Sequence, residues 1–91
     1  MSIQFKAEDH FLIKGRGLVL TGYLIEGVVR KGMHISIPAF PRILTVDGIE
    51  MIYTNPRKPG MFGLLFLTTD ADEIRLWKQL TLKDVVFEIV E

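Results

Sequence analysis

The stretch that decides the fold is Lys14-Gly15-Arg16-Gly17-Leu18-Val19-Leu20-Thr21-Gly22. Three glycines interrupt an apolar run, and glycine tolerates both positive φ angles and a close approach of neighbouring backbone. Such spacing is typical of bends and bulges within a strand. A small, strongly curved barrel needs strands that bend and then continue. The stretch therefore predicts a curled β-sheet.

Short apolar segments bounded by turn residues fill most of the remaining chain, which is typical of an antiparallel β fold. The candidate strands are residues 3–6, 10–14, 18–25, 33–37, 42–45, 48–54, 61–69 and 84–90. Glu8-Asp9 predicts a turn between the first two strands, and Asp47-Gly48 predicts a tight turn between two later ones. A loop is expected at residues 55–60.

One helix is expected near residues 71–80, with Asp70 or Asp72 as its cap and Trp77 packing it onto the sheet. The predicted fold is therefore all-β: a small closed or nearly closed antiparallel barrel of about six strands with one short helix. With 91 residues, the chain has room for a single domain, 1–91.

Composition excludes several classes of function. Formal net charge is zero and no basic face suggests a nucleic-acid duplex. The absence of cysteine excludes disulfides and thiolate zinc sites. His10 and His34 have no carboxylate at ligand spacing, so we expect neither a metal site nor a cofactor. The first residues lack a signal pattern and no apolar run nears a membrane span, which predicts a cytoplasmic protein without membrane contact.

Catalysis is not expected from this sequence. The only serines are Ser2 and Ser36, and neither lies in a nucleophile setting. Carboxylate pairs occur only at expected turns and at the start of the expected helix, where capping accounts for them. We therefore predict a protein that is not an enzyme.

Several motifs occur in a recognisable order. They are Phe11-Leu12-Ile13-Lys14-Gly15-Arg16-Gly17, Thr21-Gly22, Gly27-Val28-Val29-Arg30-Lys31-Gly32, Gly48-Ile49-Glu50-Met51, Pro59-Gly60 and Gly63-Leu64-Leu65. Over residues 8–67 the set resembles the second domain of translational GTPases, most closely elongation factor Tu and its relatives. The resemblance implies a six-stranded antiparallel barrel. The chain has no phosphate-binding Gly-x-x-x-x-Gly-Lys-Ser/Thr loop, so we expect no GTP binding.

In that family the barrel receives the aminoacylated 3′-terminal adenosine of transfer RNA in a surface pocket. The resemblance implies that the corresponding pocket residues are Glu8, Asp9, Phe11, Ile13, Thr21 and Glu50. Phe11 and Ile13 would offer apolar walls to a base, and Glu50 would accept a hydrogen bond from a ribose hydroxyl or an exocyclic amine.

The chain departs from the family pattern at two places in this region. Tyr53 stands where the family has an arginine, and Gly60-Met61-Phe62-Gly63 is one residue shorter and lacks an Asp-Asn pair. Both departures remove groups that position the ligand in the family.

Each candidate residue also has a purely structural interpretation. Glu8 and Asp9 would suit a solvated turn, and Glu50 would suit the outward side of a strand. Phe11 and Ile13 would suit burial inside the barrel. Lys14 and Arg16 flank a glycine as phosphate ligands do, but without a following helix they are better interpreted as surface charge.

Tyr23 and Ile25 replace charged residues of the family on one face of a strand. An exposed apolar stripe is typical of a contact surface, and we predict that these two residues line a protein–protein interface. The alternative is that the last strand or the helix covers the stripe within one chain.

Together these patterns predict a non-catalytic binding or assembly module that acts through protein contacts, most simply as a homodimer or homo-oligomer. The alternative is an RNA-binding module with a weakened pocket for the aminoacylated 3′ end of transfer RNA.

Overall fold

A computed structural model of the chain describes residues 3–51 and 61–91. Its elements are β1 (Ile3–Ile13), β2 (Gly17–Glu26), β3 (His34–Ile35), β4 (Leu44–Thr45), β5 (Gly48–Met51), β6 (Phe62–Phe66), α1 (Ala71–Gln79) and β7 (Val86–Val90). All strand pairs are antiparallel, in the order β4-β3-β7-β1-β2-β6-β5. The predicted all-β fold with one short helix is confirmed.

The two edges of the sheet, β4 and β5, are consecutive in sequence, so the sheet curls into a nearly closed barrel. The Val46 amide donates to the Met33 carbonyl next to β3, at 2.8 Å. One residue later the Asp47 amide donates to the Leu65 carbonyl of β6, also at 2.8 Å. The predicted tight turn at Asp47-Gly48 is therefore wrong, because the segment changes partners there and does not fold back on itself.

β1 is one continuous strand, and the turn predicted at Glu8-Asp9 is wrong. Ala7 lies opposite Gly22 and Asp9 lies opposite Thr21, so Glu8 is an extra residue in β1. Such a β-bulge absorbs one residue, and the pairing of β1 with β2 continues on both sides of it. The strand therefore bends at this point without ending.

The core lies inside the curled sheet and is closed at one end by α1. Its largest fully buried side chains include Phe5, Leu20, Leu64 and Phe66 from three different strands. Trp77 of α1 is also fully buried and contacts the Phe66 ring edge-on at 6.1 Å between ring centroids. This confirms that Trp77 packs the helix onto the barrel.

Local sequence explains where α1 begins. The Asp70 carboxylate accepts hydrogen bonds from the amides of Asp72 and Glu73, at 2.9 and 3.0 Å, and caps the helix. Lys78 lies in the last turn, where a cation favours the helix dipole. Within the described residues no helix is long and apolar enough to cross a membrane.

A charged cluster fastens α1 to the segment before β4. The Arg42 guanidinium donates from Nε and Nη2 to the two carboxylate oxygens of Glu73, at 2.5 and 3.0 Å. The Thr68 hydroxyl donates to the same carboxylate at 2.6 Å. The Arg42 hydrogen bonds, with help from Thr68, lower the pKa of the nearly buried Glu73 carboxyl against the opposing effect of burial.

Part of the sequence-based description falls outside the described residues. Tyr53, the end of the strand expected at 48–54 and the loop expected at 55–60 all lie in residues 52–60.

The close approach of β1 and β2 at the bulge requires glycine at position 22. A Cβ on Gly22 would overlap the backbone carbonyl of Lys6, whereas a Cβ on Gly48 would only touch the Leu65 side chain at 3.5 Å. We expect Gly22→Ala to lower the free energy of unfolding by about 2–4 kcal/mol, since backbone must move. Gly48→Ala is the matched control and should change it by less than about 1 kcal/mol. Urea denaturation of both variants tests this, and equal losses would contradict it.

The Glu73 cluster predicts a pH-dependent contribution to stability. Because the folded-state pKa of Glu73 is depressed, its contribution is complete above its ordinary value and is lost as the pH falls through the folded value. At pH 7 we expect Glu73→Gln to destabilise the fold by about 1–3 kcal/mol. The difference from the unmodified protein should shrink below about pH 4. Thermal melts between pH 3 and pH 7 measure it, with exposed Glu26→Gln as the control. A pH-independent deficit would contradict the assignment.

Candidate functional site

The bulge at Glu8 decides which side chains of β1 face outward. Before the bulge, Phe5 and Ala7 are buried while Lys6 is exposed. Side chains alternate along a strand, and one extra residue reverses the alternation. After the bulge, Asp9 and Phe11 are therefore exposed, and the intervening His10 turns toward Trp77.

The outward side chains fall into two rows that cross four strands. Asp9, Thr21, Gly63 and Glu50 lie in register across β1, β2, β6 and β5 and form a polar row. Phe11, Val19, Leu65 and Gly48 form the neighbouring apolar row. Gly63 contributes no side chain to the polar row between Thr21 and Glu50. The two rows give one surface an apolar strip beside a line of hydrogen-bonding groups.

A cleft of about 800 Å³ opens over these rows. We call it the outer cleft. It is lined by Glu8, Asp9, His10, Phe11, Ile13, Val19, Thr21, Glu50, Met61, Leu80, Thr81, Leu82 and Lys83.

Thr21 forms the polar floor of the outer cleft. Its side chain is only 4% exposed, and its hydroxyl donates to the Asp9 carbonyl across the strand pair at 3.2 Å. With its proton engaged, the hydroxyl oxygen keeps lone pairs that can accept a hydrogen bond from a ligand. Val19 beside it is 5% exposed and supplies the apolar part of the floor.

Glu50 stands at the rim of the cleft in an ion pair with Arg16. The Arg16 Nη2 atom donates to Glu50 Oε1 at 2.6 Å, and both side chains are about half exposed. Arg16 comes from the turn between β1 and β2, where Gly15 has a φ of 80°. The pair places a positive charge beside the cleft and orients the Glu50 carboxylate. An exposed pair of this kind separates at little cost when a ligand competes for it.

The wall facing β1 comes from residues 80–83, between α1 and β7. The Asp84 amide donates to the Ala7 carbonyl at 2.8 Å, and the Ala7 amide donates to the Val85 carbonyl at 2.9 Å. The Trp77 indole N–H also donates to the Phe11 carbonyl at 3.1 Å. These bonds hold Thr81 and Lys83 against the cleft.

The structure brings all six predicted pocket residues, Glu8, Asp9, Phe11, Ile13, Thr21 and Glu50, to one cleft. The alternative that Phe11 is buried inside the barrel is wrong, because its side chain is 42% exposed. The bulge explains this difference, since strict alternation from Phe5 and Ala7 would have placed Phe11 in the core. That these residues bind a ligand stays a prediction.

Sequence reasoning missed part of the cleft. Val19 could have been found, because it lies two residues before Thr21 and shares its face of β2. Residues 80–83 could not, since only the pairing of β7 with β1 brings them there.

Tyr23 and Ile25 lie on the outer face of β2, beyond Thr21, and neither is among the residues that line the outer cleft. Ile25 is an extra residue in β2, between the pairs Gln4–Glu26 and Phe5–Leu24, and its side chain is 55% exposed. Tyr23 is half-buried opposite Lys6.

Residues 3–51 and 61–91 contain no group of three histidine, cysteine, aspartate or glutamate side chains that could hold a metal ion.

Comparison with known proteins relates part of this chain to a translation factor. It is 38% identical over 47 residues to the selenocysteine-specific elongation factor of Mus musculus. The match covers half of this chain and 8% of the mouse protein, so the chain corresponds to a small part of that relative. No family model matches the sequence, and no solved structure matches it significantly. The chain is thus similar, over half its length, to a segment of a translation elongation factor.

Proposed function

We propose that this protein is a non-catalytic binding module of the translation-factor type. Its outer cleft would take the terminal nucleoside of an aminoacylated RNA strand. The observation that carries the proposal is the pair of rows at the cleft, with Phe11 and Val19 on one and Asp9, Thr21 and Glu50 on the other.

A nucleoside matches both rows chemically. Its base has a flat apolar face that packs against an exposed aromatic ring such as Phe11. Its ribose hydroxyls and exocyclic amine are donors, and the cleft presents acceptors at Asp9, Thr21 and Glu50. The partial similarity to an elongation factor favours the same class of ligand.

The charge of the lining favours the aminoacylated form. Glu8, Asp9 and Glu50 are carboxylates, whereas Lys83 is the one lysine or arginine among the described residues that line the cleft, and Arg16 lies beside it in the ion pair with Glu50. An aminoacyl group carries an α-ammonium, which carboxylates bind well. Phosphates of the RNA strand would lie outside the carboxylate-lined part of the cleft.

A second candidate function is assembly through protein contacts, as the sequence predicts. The exposed Ile25 side chain and the neighbouring Tyr23 favour it. This function needs no ligand in the outer cleft, so the two candidates can be tested separately.

Removing the Thr21 hydroxyl tests the polar row. Thr21→Val keeps the side-chain shape but removes the acceptor, and we expect it to weaken binding of an aminoacylated RNA minihelix about 5–10-fold. Thr45→Val is the matched control, because Thr45 bonds His34 outside the cleft lining. Titration of ¹⁵N-labelled protein measures affinity, with shifts expected at Asp9, Thr21 and Glu50. Absence of saturable shifts in the unmodified protein would refute the proposal.

Removing the Phe11 ring tests the apolar row. Stacking of a base on an aromatic ring contributes about 1–3 kcal/mol, so Phe11→Ala should weaken binding about 5- to 150-fold, while Phe11→Tyr should retain it. Fluorescence of Trp77, the only tryptophan, provides the readout, because its indole bonds the Phe11 carbonyl. Ile43→Ala, an exposed apolar residue outside the cleft lining, is the control. Equal affinity of the Ala and Tyr variants would argue against stacking.

A further inference from the structure

The outer face of β2, β1, β7, β3 and β4 forms a second surface, separate from the residues of the outer cleft. Lys6 lies between Tyr23 and Val86 in one row, and Gln4 lies opposite Glu88 in the next. We call this surface the sheet patch. Its exposed apolar side chains, with their exposed fractions, are Ile25 (55%), Ile43 (62%), Val86 (49%) and Val90 (45%).

One side of the sheet patch is concave. A groove of about 590 Å³ is lined by His34, Ser36, Ile43, Thr45, Glu88 and Val90. Ile43 and Val90 supply apolar surface, and the other four lining residues are polar, with His34 hydrogen-bonded to Thr45 at 3.1 Å. Four large apolar side chains at this level of exposure in one sheet face are typical of a contact surface.

The centre of the sheet patch carries two opposite charges, and a further exposed carboxylate, Glu26, lies opposite Gln4 at the β2 edge of the patch. Lys6 is opposite Val86, and Glu88 lies two residues further along β7, so the two side chains are diagonal neighbours. Lys6 also lies 3.8 Å from Asp84, but the two side chains are 47% and 63% exposed. An exposed pair of this kind contributes little, and the Lys6 ammonium can turn toward another carboxylate.

We propose that a second copy of this chain covers the sheet patch, face to face, with Lys6 of each copy against the partner's Glu88. The two-fold axis lies in the plane of the contact. It passes midway between Lys6 and Glu88, perpendicular to the line that joins them, and so places Lys6 of each copy over Glu88 of the other. Each dimer then contains two identical ion pairs, as an isologous contact requires. The exposed apolar side chains around them lose contact with water together.

The arrangement of charge favours a second copy over an unrelated partner. An acidic partner would leave Glu88 facing like charge, and a basic partner would do the same to Lys6. Only a surface with both signs in the reverse order satisfies both residues, and the sheet patch itself is such a surface. The patch is about 20 Å wide over five strands, so the interface is small and the dimer should have a micromolar dissociation constant.

This inference does not depend on ligand binding in the outer cleft, because the sheet patch and the cleft use different outward residues. It deepens the assembly role by naming the partner. If the protein does not dimerise, the proposal of RNA binding is unaffected, and if it does not bind RNA, the proposal of a dimer is unaffected.

Charge reversal at the two central residues tests the dimer directly. In sedimentation velocity over about 10–500 μM, we expect the unmodified protein to show a monomer–dimer equilibrium. Lys6→Glu and Glu88→Lys should each weaken it about tenfold or more, since each places like charges in contact twice per dimer. An equimolar mixture of the two variants should restore dimers, and so should the double variant. Lys31→Glu, a charge reversal at an exposed site outside the patch, is the matched control.

Circular dichroism melts of each variant establish that the monomer is folded. A second variant, Ile25→Glu, should abolish the dimer, and mixing it with Lys6→Glu or with Glu88→Lys should not restore association. The proposal is overturned if the unmodified protein is monomeric throughout the concentration range. It is also overturned if the mixture of charge variants fails to associate more strongly than either variant alone.

Discussion

The architecture of the candidate site depends on one extra residue in β1. Side chains alternate with a period of two along a strand, so the bulge at Glu8 reverses the alternation for everything that follows. Without the bulge, Phe11 would point into the core and the polar row would lose Asp9. The outer cleft therefore depends first on the register of the backbone, which decides which side chains reach it.

Because the bulge reverses the alternation, it also turns a polar side chain, His10, toward the inner side of β1. His10 turns inward after the bulge, and its ring meets the Trp77 indole edge-on at 5.5 Å between ring centroids. The Trp77 indole N–H donates to the Phe11 carbonyl, so the helix also accommodates the backbone of the displaced segment. The helix thus covers the inner side of the same residues that form the cleft on the outer side. The Arg42–Glu73 cluster holds the helix in this place.

Different parts of the fold and the site were predictable to different degrees. The helix was predictable, because the Asp70 cap and the position of Trp77 are local signals. The bulge was not predictable, because apolar residues such as Phe5 and Phe11 occupy odd positions on both sides of it. The sequence therefore looks like one strand with regular alternation. The sequence also did not reveal that residues 44–51 run from one edge of the sheet to the other. Asp47-Gly48 is typical of a tight turn, but hydrogen bonds to the distant Met33 and Leu65 carbonyls keep this segment extended. Residues 80–83 join the cleft only through the pairing of β7 with β1.

The same register change also decides which residues of β1 belong to each of the two adjoining surfaces. Before the bulge the even residues Gln4 and Lys6 face outward on the sheet patch, and after it the odd residues Asp9 and Phe11 face outward in the cleft. Because the bulge absorbs Glu8, Lys6 and Asp9 lie in consecutive outward rows about 7 Å apart, opposite Tyr23 and Thr21 of β2. A strictly alternating strand of this composition would place Phe11 inside and present a charged outer face. One inserted residue thus lets a single strand serve two surfaces of different chemistry.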